Sequence, residues 1–335
     1  MNLLTIVGVL PLISALLIAF IPSKNVELIK RAAFAATLLI AIASIFLATG
    51  FDNSVTGMQY VQSTTWIAAF NINFAIGIDG ISLVLILLST ILVPIVILAT
   101  WHESDLGRWS SKSFYILILV LETLMIGVFA ATDLFLFYVF FEAMLIPIYF
   151  LIGGYGTGNK SAAAVKFLLY SLFGGLLMLA SVIGIYVIAG NQIGATFDLT
   201  QLATLEIDSN TQNLLFLGFF IAFAIKAPLW PFHTWLPDAA KAATPGTSVL
   251  LLGVLDKVGT YGMIRFCIAL FPDASKTFTP LIITLSVISI IYGAFMAIGQ
   301  KDIKGLIAFT SISHFGFITM GIFAMTTQGM SGANL

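Results

Sequence analysis

Charge is what this sequence has least of. Its 14 Lys plus Arg and 15 Asp plus Glu make up 9% of 335 residues, where a soluble domain carries about 25%. Apolar residues reach 60% and the mean hydropathy is +1.09. A water-exposed surface cannot be clothed from so few polar groups, which excludes a soluble enzyme and a disordered scaffold. The net charge of −1 offers no basic excess, so no nucleic-acid partner is expected. Cysteine is almost absent too. Cys267 stands alone, which excludes an internal disulfide and any cysteine-ligated iron–sulfur or zinc cluster. The three histidines, His102, His233 and His314, fall in separate segments without metal-ligand spacing. No cofactor or metal site is read from this chain. A polytopic membrane protein, with the lipid bilayer as solvent, remains.

What the sequence has in abundance is long apolar runs. A bilayer core about 30 Å thick needs roughly 20 such residues per helix. Ten spans are predicted, at 2–21, 30–49, 78–100, 113–131, 133–152, 162–189, 213–236 (interrupted), 247–270, 280–299 and 303–325. The fold class is therefore all-α, since apolar residues surround each run instead of alternating as in a β-barrel strand. No basic residue precedes the first run, and Lys24, Lys30 and Arg31 follow it, which argues against a cleaved signal peptide.

The basic residues orient the bundle. With the N-terminus outside, the connections on the cytoplasmic side hold Lys24, Lys30, Arg31, Arg108, Lys112, Lys160, Lys166, Lys241, Lys301 and Lys304, and the opposite connections hold only Lys276. Lys226, Lys257 and Arg265 lie inside predicted spans. Arg265, near the outer end of its span, is expected to snorkel to the interface.

Several polar residues read as helix punctuation. Asp79 is expected to cap the third span and Thr132/Asp133 the fifth. Ser171, Gly174 and Gly175 suit close helix approach. The run Gly153-Gly154-Tyr155-Gly156-Thr157-Gly158-Asn159-Lys160-Ser161 misses P-loop spacing, because Asn159 separates Gly158 from Lys160. It also follows a membrane helix instead of a strand. A flexible turn is the better reading.

The residues that carry chemistry are ionisable groups at mid-membrane depth. Glu142 lies about ten residues into its span, and Glu122 holds a similar depth in the fourth. Lys226 lies deep in the seventh, Lys257 halfway along the eighth and His314 halfway along the tenth. Each charge at bilayer centre costs about 2.5–3.5 kcal/mol, and five uncompensated ones cost on the order of ten. These groups are expected to face one another across a polar interior. Buried carboxyls and amines can exchange protons near neutrality, as histidine does unaided. Pro228 and Pro231 remove backbone donors beside Lys226 and break the seventh helix, a feature that marks ion sites in transporters. Proton translocation is the chemistry these parts fit.

Plainer readings stand beside it. Glu142 as a permanently protonated carboxyl, Lys257 as a structural residue and His314 as a packing hydrogen-bonder are the alternatives, and Glu122 is evenly balanced. Asp256 adjoins Lys257, but neighbouring helical residues point about 100° apart, so Asp256 is expected to pair with another helix. His233 and Asp238, beside the break, serve either loop structure or proton uptake.

At these residues the sequence becomes familiar. The stretches Gly77-Ile78-Asp79-Gly80-Ile81-Ser82, Phe137-Tyr138-Val139-Phe140-Phe141-Glu142, Lys226-Ala227-Pro228-Leu229-Trp230-Pro231-Phe232-His233-Thr234-Trp235-Leu236-Pro237-Asp238-Ala239, Lys257-Val258-Gly259-Thr260-Tyr261-Gly262 and Ser313-His314-Phe315-Gly316 occur in order along most of the chain. Together they resemble the antiporter-like subunits M (subunit 4 in mitochondria) of respiratory complex I, the proton-pumping NADH–quinone oxidoreductase. The resemblance implies that Glu142 and Lys226 form the acid–lysine pair of a half-channel. By the same resemblance Lys257 is its connecting lysine and His314 leads toward the next half-channel. NADH, FMN, iron–sulfur clusters and quinone are then expected in partner subunits. The partners are other membrane subunits, neighbouring antiporter-like ones included, in a bacterial plasma membrane.

The resemblance also divides the chain into three leading helices (1–112), a first five-helix proton-channel repeat (113–270) and the start of a second, inverted repeat (280–335). Family members have about fourteen helices, so an N-terminal fragment is expected, without the second broken helix. Ala240-Lys241-Ala242-Ala243 also stands where relatives carry His and Glu, which leaves proton uptake on that side to other groups. Two rival functions are kept: a subunit of a multisubunit cation/proton antiporter, and a non-transporting assembly subunit.

Overall fold

The computed structural model describes residues 2–107 and 109–334; Arg108, counted above among the orienting basic residues, lies outside them. The helices are α1 (Leu3–Phe20), α2 (Val26–Thr49), α3 (Gly80–Ala99), α4 (Ser111–Ala130), α5 (Leu134–Ala143), α6 (Leu145–Tyr155) and α7 (Lys160–Gln192). There follow α8 (Leu199–Leu202), α9 (Ser209–Lys226), α10 (Trp235–Ala242), α11 (Pro245–Leu250), α12 (Asp256–Gly262), α13 (Pro272–Ile298), α14 (Ile303–Phe323) and α15 (Thr327–Asn334). Among the described residues nine helical stretches are long and apolar enough to cross a membrane. The expected span at 213–236 is not one of them, because it is divided between α9 and α10.

The boundaries differ where polar residues sit inside helices. α2 begins at Val26, where Glu27 and Arg31 pair one turn apart at 2.9 Å. α13 begins at Pro272, eight residues earlier than expected, because Pro is tolerated in a first turn and Asp273–Lys276, 3.7 Å apart, continue it. Lys276 and most of the cytoplasmic-side basic residues therefore occupy helix ends instead of connections. The 50–77 connection contains a pair of strands, β1 (Gln59–Ile67) and β2 (Ile72–Ile78), that hydropathy did not signal.

The chain divides into two compact units. The first comprises residues up to Trp66, Asn73–Val165 and Ala242–Val254. In it α1, α2 and α3 pack with α4, and α11 packs on α3 and α6. Ser44 and Thr90 hydroxyls join α2 to α3 at 2.6 Å. Asp79 accepts from the Ser82 amide at 3.0 Å. Asp133 caps α5 through the Phe135 and Leu136 amides and also receives the Asn73 amide of β2 at 3.1 Å. Lys30, 3% exposed, is ion-paired with Asp105 at 2.6 Å. Burial opposes ionisation of Asp105, but hydrogen bonds from Lys30 and Ser111 hold its carboxyl below the usual range.

The second unit comprises 67–72, Lys166–Lys241 and the chain from Leu255 onward. Here α9 packs against α12 and α13, and α14 against α13, α12 and α15. A Cβ at Gly174 would lie 3.0 Å from the Ala222 Cα, so α7 and α9 do approach closely there. Lysines fasten helix ends: Lys166 bonds the Thr234 carbonyl at 2.9 Å and Asp238 at 2.7 Å, and Lys304 bonds the Lys241 carbonyl at 2.6 Å. Asp302 caps α14 through the Gly305 amide at 2.6 Å, with Lys241 3.4 Å away. The Gly305 amide and then Lys241 hold the Asp302 carboxyl below its ordinary range, against a small opposing effect of burial.

A depressed carboxyl contributes stability that is complete above the unfolded value, about pH 4, and is lost as pH falls through the folded one. Asp302→Ala should therefore cost about 1 kcal/mol at neutral pH, read as faster amide exchange in the first turn of α14. The difference from the parent should vanish in strong acid; an equal penalty at low pH would contradict the capping role.

Candidate functional site

Pro147 shapes the first candidate position. Without an N–H, and with its ring crowding the Ala143 carbonyl, it interrupts the fifth span at Met144, between α5 and α6. Glu142 thus occupies the last turn of α5, half-buried, with Tyr138 one turn earlier inside its electrostatic range. Glu122, on α4, is 0% exposed, and neither of its carboxylate oxygens has a hydrogen-bond partner among the described residues. Both acids belong to the first unit.

The second unit holds the broken helix. Pro228 cannot donate to the Ala224 carbonyl, and that oxygen is taken instead by the Leu229 amide at 2.9 Å. The Ile225 carbonyl, which Leu229 would otherwise have served, receives the Trp235 indole N–H at 2.8 Å. The Trp230 amide donates to Ser289 Oγ at 2.7 Å, and the Trp230–Pro231 peptide is cis. Every backbone group named here is satisfied, as buried backbone requires. The helix nevertheless stops at Lys226, which becomes the last residue of α9. A helix C-terminus carries partial negative charge that favours a cation. Lys226 is 1% exposed, and its ammonium lies 5.6 Å from the centroid of the Phe167 ring.

The helix carrying Lys257 presses directly on this break. A Cβ at Gly259 would fall 2.6 Å from both the Ala227 nitrogen and the Phe223 carbonyl oxygen, and one at Gly262 would fall 2.3 Å from the Phe223 ring. Only glycine leaves room. π-Helical turns at Leu251–Leu255 and Met263–Ile268 flank α12, a distortion common at functional sites. Lys257 itself is half-buried. Asp256, its neighbour, is 0% exposed, has no hydrogen-bond partner on either oxygen among the described residues, and interacts electrostatically with both Lys257 and Lys226.

The unit therefore brings Lys226, Asp256 and Lys257 together beside Pro228. Asp256, expected to pair with another helix, interacts with Lys226 at the end of α9. Its signal was its place three residues before Gly259, on the face that meets the break. Arg265 bonds the Tyr261 hydroxyl at 3.2 Å and lies over its ring.

Other expected members are placed differently. His314 is exposed on α14, so it does not face the interior of the unit; its neighbours Ile312, Ser313 and Phe315 take the buried positions. His233 is buried with its ring 4.8 Å from Tyr292, and its Nδ1 has no hydrogen-bond partner among the described residues. Pro231 and Asp238 are exposed; Asp238 is fastened to Lys166.

Residues 131–335 match the family described as NADH:quinone oxidoreductase/Mrp antiporter, transmembrane. The chain is 47% identical, over 99% of its length, to the NADH-quinone oxidoreductase subunit M of Mycobacterium tuberculosis, and spans 66% of that relative. It is 42% identical, over 97% of its length, to NADH-ubiquinone oxidoreductase chain 4 of Arabidopsis thaliana, spanning 64% of it. Its fold superposes with a TM-score of 0.87 and 31% identity on a chain of respiratory complex I from Thermus thermophilus, with 99% of this chain and 67% of that one covered.

Proposed function

The chain belongs to the NADH:quinone oxidoreductase/Mrp antiporter transmembrane family, and from that premise we propose that it is a proton-translocating membrane subunit of an NADH–quinone oxidoreductase in a bacterial plasma membrane. The observation that carries this reading is Lys226. It is an amine buried at the end of a broken helix, with a second lysine and a carboxylate on the helix packed against it. Such a group can hold a proton at mid-membrane depth and release it when its surroundings change.

On this reading Glu142 is the acid that pairs with Lys226, Lys257 is the connecting lysine, and His314 lies on the route beyond. Glu122 is a further acid of the same depth, and His233 and Asp238 are candidates for proton uptake. Residues 113–270 then form the proton-channel repeat. NADH oxidation and quinone reduction take place in partner subunits, which hold the FMN, iron–sulfur clusters and quinone. This chain supplies only proton movement, driven by its membrane neighbours, other antiporter-like subunits among them. Moving one charge against 100 mV costs about 2.3 kcal/mol. A change of two units in a lysine's proton affinity, about 1.4 kcal/mol each, spans that cost.

The test is the number of protons moved per electron by the assembled complex in sealed vesicles. Glu142→Gln should lower it several-fold without lost assembly; an unchanged ratio would overturn the reading. The family description also covers Mrp antiporters, which fits the rival reading of a cation/proton antiporter subunit. Proton movement driven by an imposed sodium gradient, and not by NADH, would favour that function instead.

A further inference from the structure

Asp256 is a carboxylate that neither the family resemblance nor the roles above account for. It is 0% exposed, and both its oxygens lack a hydrogen-bond partner among the described residues. A carboxyl kept for structure is normally bonded to donors, so a buried one that is not demands a reason. Helical spacing supplies its surroundings. Residues three apart share a face, and the face of α12 made by Asp256, Gly259 and Gly262 is the one laid against Phe223 and Ala227 at the end of α9. Asp256 consequently points toward the break on the side of Lys226. Lys257, about 100° around the helix, points elsewhere and is half-buried. The charge of Asp256 interacts with both lysines. Its charge therefore acts on two amines carried by two different helices.

We propose that Asp256 is the proton carrier between Lys226 and Lys257. The inference rests on the translocation reading above and extends it. In the first step the Lys226 ammonium gives a proton to the Asp256 carboxylate, leaving a neutral amine and a neutral carboxylic acid. In the second the acid gives that proton to neutral Lys257, restoring the carboxylate and forming a new ammonium. One proton moves, and the summed charge of the three groups is zero at every stage. That neutrality matters in a buried site, where an uncompensated ion is strongly disfavoured. Without the carboxyl, the transferred proton would be an unbalanced positive charge throughout.

The experiment uses the assembled complex in vesicles, with NADH-driven proton translocation and quinone reduction measured together. Asp256→Asn preserves shape but cannot take up a proton, and should lower protons moved per electron at least tenfold in the step assigned to this subunit. Asp256→Glu should restore most of it. Infrared difference spectra of the wild type during turnover should show a protonated-carboxyl band, shifted by D2O and absent in Asp256→Asn, a signature that a packing role would not produce. If Asp256→Asn translocates like the wild type while Lys226→Ala does not, the carrier assignment falls and the functional reading stands. If Lys226→Ala also translocates normally, the functional reading falls. Should Asp256→Asn fail to assemble, the wild-type spectra with isotope-labelled aspartate decide: no labelled carboxyl band during turnover overturns the proposal.

Discussion

Lys226→Arg should be as defective as Lys226→Ala, each retaining a tenth or less of the NADH-driven proton translocation assigned to this subunit. The two substitutions remove different things. Alanine deletes the cation at the end of α9 and leaves the buried Asp256 carboxylate without the charge of Lys226 to balance it. Arginine keeps the charge, and with it the compensation of Asp256 and the favourable interaction with the helix terminus. Its guanidinium does not deprotonate in proteins, so it can stand in the site but cannot pass a proton on. If Lys226 served only to neutralise buried acid, arginine would rescue function. Wild-type proton-to-electron ratios in Lys226→Arg would therefore sink the proton-donor role while leaving the electrostatic one. Assembly, followed by the yield of intact complex, should survive better in arginine than in alanine.

Gly259→Ala should be the most damaging small substitution in the chain's second unit. The added methyl would meet two backbone atoms at 2.6 Å and the Ala227 Cβ at 2.8 Å, and none of these can rotate away as a side chain would. Overpacking of this kind costs about 3 kcal/mol at the upper end of its usual range. Relief would require α12 to withdraw from the break, carrying Asp256 and Lys257 with it. Both a lowered melting temperature and reduced translocation are expected. Gly80→Ala is the control, since a Cβ there meets nothing within 4 Å, and its stability should stay near that of the parent. Equal behaviour of the two variants would show that the close approach of α12 to α9 is not what holds the site.

The spans, the caps at Asp79 and Asp133, and the stop at Lys226 were legible because each depends on local chemistry. Apolar length, an oxygen beside free amides and a proline without an N–H act within a few residues. What escaped depends on neighbours far along the chain. The β1–β2 pair lies in a segment whose exposed positions do not alternate cleanly. The π-helical turns beside α12 leave no mark in composition. His314 was expected to face the interior from its place along the helix, but that place does not specify which side of α14 it takes. Asp256 was separated from Lys257 by a sound angular argument, yet which helix it faces follows from the fit of Gly259 against Ala227. That fit is tertiary.

The indole of Trp235 deserves a last consequence. By occupying the Ile225 carbonyl it leaves the Leu229 amide a single acceptor, Ala224, and so fixes the register in which α9 ends. The position of Lys226 is thereby tied to a residue nine places further on, at the start of α10. That short helix is itself moored through Asp238 and Lys241, and through Thr234 just before it, to Lys166 and Lys304. The two halves of the broken helix are coupled like a lever to its handle. One hydrogen bond thus joins the start of α10 to the peptide that carries the buried amine.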